Sequence, residues 1–149
     1  MAEGLTRAQI RAAFIAALQA SSAVTAVVPS GSIYAARTQP LPVASLPAIS
    51  VYVDRSRKVL ELDDGSQVMV ADTDVVVIFE CKETASSVEV PLDFVETIEA
   101  AILGSATIRA LNNLMAISDV DTVTVQVTDG DVDIGGAAST FTLRHMRSY

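Results

Sequence analysis

Hydrophobic positions near the start of the chain recur with the spacing of an amphipathic helix. Four apolar residues share one helix face at i, i+4, i+7 and i+8: Ile10, Phe14, Ala17 and Leu18. Thr6 followed three residues later by Gln9 is a capping box, so the pattern predicts a helix over 7–20. The opposite side of this helix carries Arg11 and Ile15, which places an isoleucine in the middle of the outward face.

A strict alternation of apolar and polar residues follows later in the chain. In "LPAISVYV" the residues Ile49, Val51 and Val53 point one way while Ser50 and Tyr52 point the other, which is typical of a half-buried strand. The preceding "QPLPVASLP" contains three prolines, which hold it extended because each proline fixes its own φ and disfavours helix before it. A turn of helix in "SSAVTAVV" and a brief strand in "SIYAAR" precede this connector.

The middle of the chain predicts a hairpin and a central strand. Asp64 and Gly65 lie between "KVLEL" and "SQVMV", which is a hairpin signal, and the hairpin is acidic at its tip. The strand "VVVIFEC" over 75–81 comes next and is apolar on both faces, so we expect it inside the sheet.

The second half predicts two helices and two strands. One helix begins near Pro91 and ends at Gly104, and Ser105 caps a short helix in "ATIRALNNL". Strands over 122–127 and in "STFTLRHM" follow, with "DGDVDIGGAA" predicted as the loop between them. The order predicts one α+β domain over 1–149, with a mainly antiparallel or mixed sheet of four to five strands and helices packed on one face.

Composition favours assembly. The 149 residues are 50% hydrophobic and only 19% charged, and apolar surface beyond one small core usually meets a partner. The apolar run 12–29 is interrupted by polar residues and makes a poor membrane span. A secretory signal ending at Ala26 would make the chain a secreted binding module; because Glu3 lies in the region that should be basic, we expect an intracellular protein.

Charge is acidic overall and segregated along the chain. The net charge of −8 argues against a surface that binds nucleic acid, although a channel through which DNA passes without binding stays open. Residues 1–58 carry +4, residues 59–143 carry −14 and residues 144–149 carry +2. Oppositely charged surfaces on one subunit can pair around a closed ring.

Carboxylates are plentiful, but none of their patterns completes a metal site. Asp129, Asp131 and Asp133 resemble the start of a calcium loop, yet its sixth position is Ile134 and its twelfth is Thr140. We interpret this segment as a polar turn. Three further pairs are interpreted as solvated charges in turns and at strand ends: Asp63 with Asp64, Asp72 with Asp74, and Asp119 with Asp121.

Cys81 and His145 are the only members of their residue types. A zinc site would need two carboxylates besides them, and a Cys–His pair would put the nucleophile in a core strand. Cys81 is interpreted as a buried thiol and His145 as a surface or strand-end side chain. We therefore predict no catalytic, cofactor or metal site and no enzyme; a small Cys-dependent hydrolase is the distant alternative.

The order of segments resembles the tail terminator, or minor tail U-like, proteins of long-tailed bacteriophages. The matching segments are the helix "RAQIRAAFIAAL", "IY", "LPAISVYV", the acidic hairpin, "VVVIFEC", "PLDFVETIEAAIL" and a last strand that runs to an aromatic terminus. They cover nearly the whole chain, apart from "SSAVTAVVPSG" and "DGDVDIGGAA".

The resemblance implies a structural virion protein without catalytic residues or cofactors. Its implied role is a ring, usually of six copies, at the head-proximal end of the tail, where it caps the tube, stops polymerisation and presents a surface to the head connector. The implied partners are other copies of itself, the tail tube protein and a connector or neck protein, with DNA only in transit and no membrane; assembly would take place in the host cytoplasm. A neck or tail-completion protein of the head–tail joint is the alternative.

Two sets of residues are candidates for contacts in such an assembly. We expect the first helix to supply one side of the subunit interface through Arg7, Arg11 and Ile15. We expect the hairpin over 54–74 to be mobile in the isolated subunit and to contact the tube or a neighbour. Its candidate residues are Arg55, Arg57, Asp63, Asp64 and Gly65.

Overall fold

The computed structural model of the chain describes residues 5–35, 46–61, 68–83, 89–111, 114–129 and 132–148. Four helices are present in this part of the chain: α1 (Arg7–Ala20), α2 (Ser22–Thr25), α3 (Glu89–Leu103) and α4 (Ala106–Arg109). Five strands accompany them: β1 (Ile33–Ala35), β2 (Ala48–Glu61), β3 (Val68–Glu83), β4 (Leu114–Asp129) and β5 (Val132–Ser148). One 3-10 turn, Ser30–Ser32, leads into β1.

The five described strands form one sheet in the order β1-β2-β3-β5-β4. β1 pairs parallel with β2, and every other pairing is antiparallel. Long hairpins, β2–β3 and β4–β5, lie side by side, and β3 is central. The helices pack on one face, so the predicted α+β class, the mainly antiparallel sheet and the one-sided helix layer are confirmed.

The hairpin predicted in the middle of the chain is longer than expected. β2 runs without a break from Ala48 to Glu61 and β3 from Val68 to Glu83, so the predicted strand and the predicted hairpin arms are the same elements. Register shifts between Val53 and Arg55 and between Lys58 and Leu60 interrupt the alternation, which is why the sequence pattern suggested separate elements. The tip, 62–67, lies outside the described residues.

The prediction that "DGDVDIGGAA" forms a loop is wrong for most of this segment. β4 continues to Asp129, β5 begins at Val132, and these two residues pair with each other. Gly135 and Gly136 lie inside β5, with ladder partners on both β3 and β4 that keep the strand continuous. Asp131 lies outside the described residues. The short helix after Ser105 also ends earlier than expected, at Arg109.

The core lies between the helices and the sheet. α1 buries its predicted face, and the ring of Phe14 meets Phe141 of β5 edge-on with centroids 5.7 Å apart. α3 buries Phe94 against Phe79 of β3, with centroids 4.4 Å apart. α3 ends at Leu103, directly before Gly104, as predicted. A glycine is needed at this position because a Cβ there would lie 2.9 Å from the carbonyl oxygen of Ala100.

The predicted caps are confirmed. The Thr6 hydroxyl accepts from the Gln9 amide at 3.2 Å, and the Gln9 side chain accepts from the Thr6 amide at 2.9 Å. Ser105 accepts from the Ile108 amide at 3.2 Å. Among the described helices, none is long and apolar enough to cross a bilayer.

Candidate assembly surfaces

The sheet face opposite the helices carries a network of arginines and aspartates centred on Asp74. The register places Arg55 of β2 and Thr142 of β5 on either side of this residue. The Asp74 carboxylate accepts hydrogen bonds from Arg57 Nη1 at 2.8 Å, Arg55 Nε at 3.1 Å and the Thr142 hydroxyl at 2.7 Å. One carboxylate therefore joins three strands.

Asp72 holds the neighbouring part of the same face. Arg144 of β5 binds its carboxylate through two parallel hydrogen bonds, Nε to Oδ1 at 3.0 Å and a terminal nitrogen to Oδ2 at 3.1 Å. Such bidentate pairs fix orientation as well as charge. Asp72 and Asp74 are only 8% and 6% exposed, so the prediction that they are solvated turn charges is wrong.

The network changes the acidity of Asp74. Burial alone would raise the pKa of its carboxyl, but hydrogen bonds from Arg57, Thr142 and Arg55 outweigh burial and hold the pKa below its usual value. The pKa values of Arg57 and Arg144 are raised by their hydrogen bonds to these aspartates. Asp74 is therefore ionised at neutral pH and stabilises the strands around it.

The predicted hairpin contact is only partly visible in the described residues. Arg55 and Arg57 lie on β2 and already bind Asp74, although their side chains are still 70% and 45% exposed. Asp63, Asp64 and Gly65 lie outside the described residues. The arms of the hairpin are part of the described sheet, since Met69 to Asp74 of β3 pair with β5 as well as with β2.

His145 lies in the interior, so its prediction as a surface or strand-end side chain is wrong. It is 1% exposed on the helix side of β5, and its Nε2 lies 2.7 Å from the hydroxyl of Thr73. That hydroxyl is in turn 2.7 Å from the hydroxyl of Ser56. A buried polar chain therefore crosses β2, β3 and β5, where it satisfies groups that would otherwise be costly to bury.

Cys81 and His145 are too far apart to act together. His145 pairs with Ala71 of β3, and Cys81 lies ten residues further along that strand, roughly 33 Å away at the rise of an extended chain. Cys81 is half-buried at the margin of the core rather than fully buried. The geometry excludes the Cys–His nucleophilic pair. Among the described residues, no three metal-ligating side chains lie close enough to share an ion.

The three candidate interface residues of α1 differ in exposure. Arg7 is exposed and Arg11 is half-buried, and neither forms an ion pair with a described residue. Ile15 is half-buried and packs against the margin of the core, so the expectation that it lies in the middle of the outward face is wrong. The exposed positions around the arginines are small, Ala8 and Ala12.

A groove of about 470 Å³ opens between the start of α2 and the outer side of α3. The residues that line it are small or acidic: Ser21, Ala23, Asp93, Glu96, Thr97, Ala100 and Ala101. Asp93 and Glu96 are exposed at the rim and, like the arginines of α1, form no ion pair with a described residue.

Comparison with known proteins gives a likeness of fold to a solved structure. No protein-family model matches the chain, and no curated protein matches it. A solved structure described as the virion of a native gene transfer agent (GTA) particle contains a chain of similar fold, with a TM-score of 0.53 and 19% sequence identity. The likeness covers 91% of this chain and 93% of that one, so it extends over the whole fold.

Sequence reasoning missed the residues that organise the open sheet face, Asp72, Asp74, Thr142 and Arg144. A signal was present, because "ADTDVVVIF" places two aspartates in register with an apolar strand instead of after its end. Their partners lie far away along the chain on β5: Thr142 is 68 residues from Asp74, and Arg144 is 72 residues from Asp72. Only the pairing of β3 with β5 brings them together.

Proposed function

We propose that this protein is a structural subunit of a phage-like virion and acts as a tail terminator. It forms a ring, most simply of six copies, on the head-proximal end of the tail tube. There it stops further polymerisation of the tube and offers a surface to the head connector or neck protein.

The observation that carries the proposal is the likeness to a virion chain over 91% of this chain and 93% of that one. The order of segments that resembles tail terminators adds the specific role, because the described strands and helices follow that order. The surfaces described above hold paired charges, a capped helix and an open groove. Cys81 and His145, the nucleophilic pair considered from the sequence, are too far apart to act together.

Passage of DNA is consistent with the charge of the chain. A net charge of −8 would repel phosphates, so an acidic pore lets the genome slide without binding. The segregation of charge supports a ring built from heterologous contacts, in which one patch meets a different patch on the next copy.

The first test is the state of the purified protein. Light scattering after size-exclusion chromatography should give about 94 kDa for six copies of the 15.6 kDa chain, and negative-stain images should show rings with a central hole. A monomer at every protein concentration would contradict the ring.

A second test separates the terminator from the neck or tail-completion alternative. If the gene is interrupted in the particle that encodes it, loss of a terminator should give tails of uncontrolled length. Tails of normal length that fail to join filled heads would identify a protein of the head–tail joint instead.

A further inference from the structure

Helices α1 and α3 carry charges of a single sign. In Arg7–Ala20 there are two arginines and no acid, and in Glu89–Leu103 there are four acids and no base. Each helix therefore lacks the i,i+4 pairs of opposite charge that stabilise exposed helices. The charges on these helices are complementary to each other.

The two arginines of α1 are placed where a solitary helix would not favour them. Arg7 is in the first turn, where the helix dipole favours negative charge, and that turn contains no acid. Arg11 lies four residues later, so the two guanidinium groups repel each other along the same side of the helix. The unfavourable interaction of Arg7 with the helix dipole and the repulsion between the two guanidinium groups both become weaker if a carboxylate from outside the helix lies against the pair.

Two acids of α3 are equally without a partner in the described chain, whereas a third is engaged. Glu99 accepts from Thr122 at 3.1 Å and lies 3.5 Å from the Ser139 hydroxyl, which ties it to the sheet. Asp93 and Glu96 remain exposed at the rim of the groove. Thr97 and Ala100, which also line the groove, have small side chains that leave room for a planar guanidinium to reach either carboxylate.

Within the described chain, the arginines of α1 do not pair with the acids of the groove. Neither Arg7 nor Arg11 forms an ion pair with Asp93 or Glu96. Arg7 lies at the start of α1 and Ser21, at the edge of the groove, follows its end, so these two residues are separated by roughly 21 Å along the helix axis. A second copy of the chain can bring the two sets of charges together.

We infer that Arg7 and Arg11 of α1 dock into the groove between α2 and α3 of a second copy of this chain. The inference rests on the proposed function, because it supplies the heterologous contact from which a ring can close. Exposed Ala8 and Ala12 allow the second copy to approach closely, and the contact repeats around the ring with the same donor and acceptor patches.

The test uses two charge-reversed variants of the full chain. Variant A carries Arg7→Glu and Arg11→Glu; variant B carries Asp93→Arg and Glu96→Arg. Each should weaken self-association by about tenfold or more, because reversal turns attraction into repulsion. The matched control carries Glu80→Arg and Asp121→Arg, which reverse two acids on the sheet, away from α1 and the groove, and change the net charge as much as variant B does. The control should associate as the unaltered protein does.

Mixing the variants makes the test specific and shows that both are folded. Variant A and variant B should each sediment as smaller species alone and associate when mixed in equal amounts, since each then offers what the other lacks. Association should weaken as sodium chloride is raised from low to high concentration.

The outcomes separate this contact from the proposed function. Unchanged association of both variants, or no rescue on mixing, overturns the contact while a ring of unaltered protein keeps the proposed function. If association depends on these charges but loss of the protein leaves tail length normal, the contact is supported and the terminator role is overturned. If the variants associate normally but no longer cap tubes, the groove binds another protein and the contact is overturned.

Discussion

At the scale of single residues, Asp74 has the largest number of described side-chain partners. It is buried on the sheet face opposite the described helices, and three donors from two neighbouring strands surround its carboxylate. The donors lower its pKa despite burial. A carboxyl whose folded pKa is depressed stabilises the fold above its unfolded pKa, near 3.9, and loses that contribution as the pH falls through the folded value.

We predict that Asp74→Asn lowers the free energy of unfolding by ~1–3 kcal/mol at pH 7, because the charge that satisfies two arginines is removed. The difference from the unaltered protein should shrink as the pH falls from about 4 through the lowered folded pKa of Asp74, because the carboxyl of the unaltered protein becomes neutral there. Denaturant unfolding at a series of pH values measures both effects. Asp121→Asn, at an exposed position of β4, is the control; a difference that does not change with pH would contradict the assigned role.

The same scale shows what a single sequence conveys and what it omits. Ile10, Phe14 and Leu18 were identified as core because their spacing is set within one helix. His145 and Asp74 were placed wrongly because their environments depend on the pairing of β3 with β5, which no local pattern encodes. Buried polar residues were therefore the main errors.

At the scale of elements, helix ends were predictable and strand ends were not. Thr6 with Gln9, Gly104 and Ser105 are local signals that end or begin a helix through their own backbone and side-chain hydrogen bonds. The strands β2 to β5 have 14 to 17 residues each, and irregularities in β2 and β4 break the alternation on which strand prediction depends. A ladder partner maintains a strand across such a break.

The central position of β3 leads to a second prediction. We expect the amides of Val70 to Asp74 to exchange as slowly as those of Val75 to Phe79, since β3 has a partner strand on both sides along this whole stretch. Hydrogen exchange followed by mass spectrometry of the isolated protein measures this. The edge strand β4, which pairs on one side only within the described sheet, is the internal comparison.

The result would also decide between two views of the hairpin. Fast exchange in Val70 to Asp74 together with slow exchange in Val75 to Phe79 would favour the mobile hairpin expected from sequence. Slow exchange in both segments would mean that these residues are already ordered in the isolated protein, so that the tube or a neighbour could order only other residues. Arg55 and Arg57 would then present a surface whose conformation is set before assembly.

At the scale of the whole molecule, the chain carries complementary charge at two places that form no ion pair with each other among the described residues. Arginines without partners among the described residues lie on α1, and acids in the same condition lie at the groove beside α3. A heterologous contact between such patches closes into a ring only when every copy supplies both the arginines for one neighbour and the groove for the other. Ring formation should therefore be far more sensitive to a defective copy than pairwise association is.

This leads to the last prediction. The variant with Asp93→Arg and Glu96→Arg keeps the arginines of α1, so it can dock onto an unaltered neighbour but cannot receive one. If one subunit in six is this variant, random incorporation leaves only about a third of six-membered rings without a defect, and the yield of closed rings should fall to that level. Mass photometry of the mixture measures the yield, with the Glu80→Arg and Asp121→Arg protein at the same ratio as control. A loss of about one sixth would mean that the variant is left out of the rings and only the unaltered copies assemble. An unchanged yield would mean that the variant joins rings normally, and that the groove is not a required half of the contact.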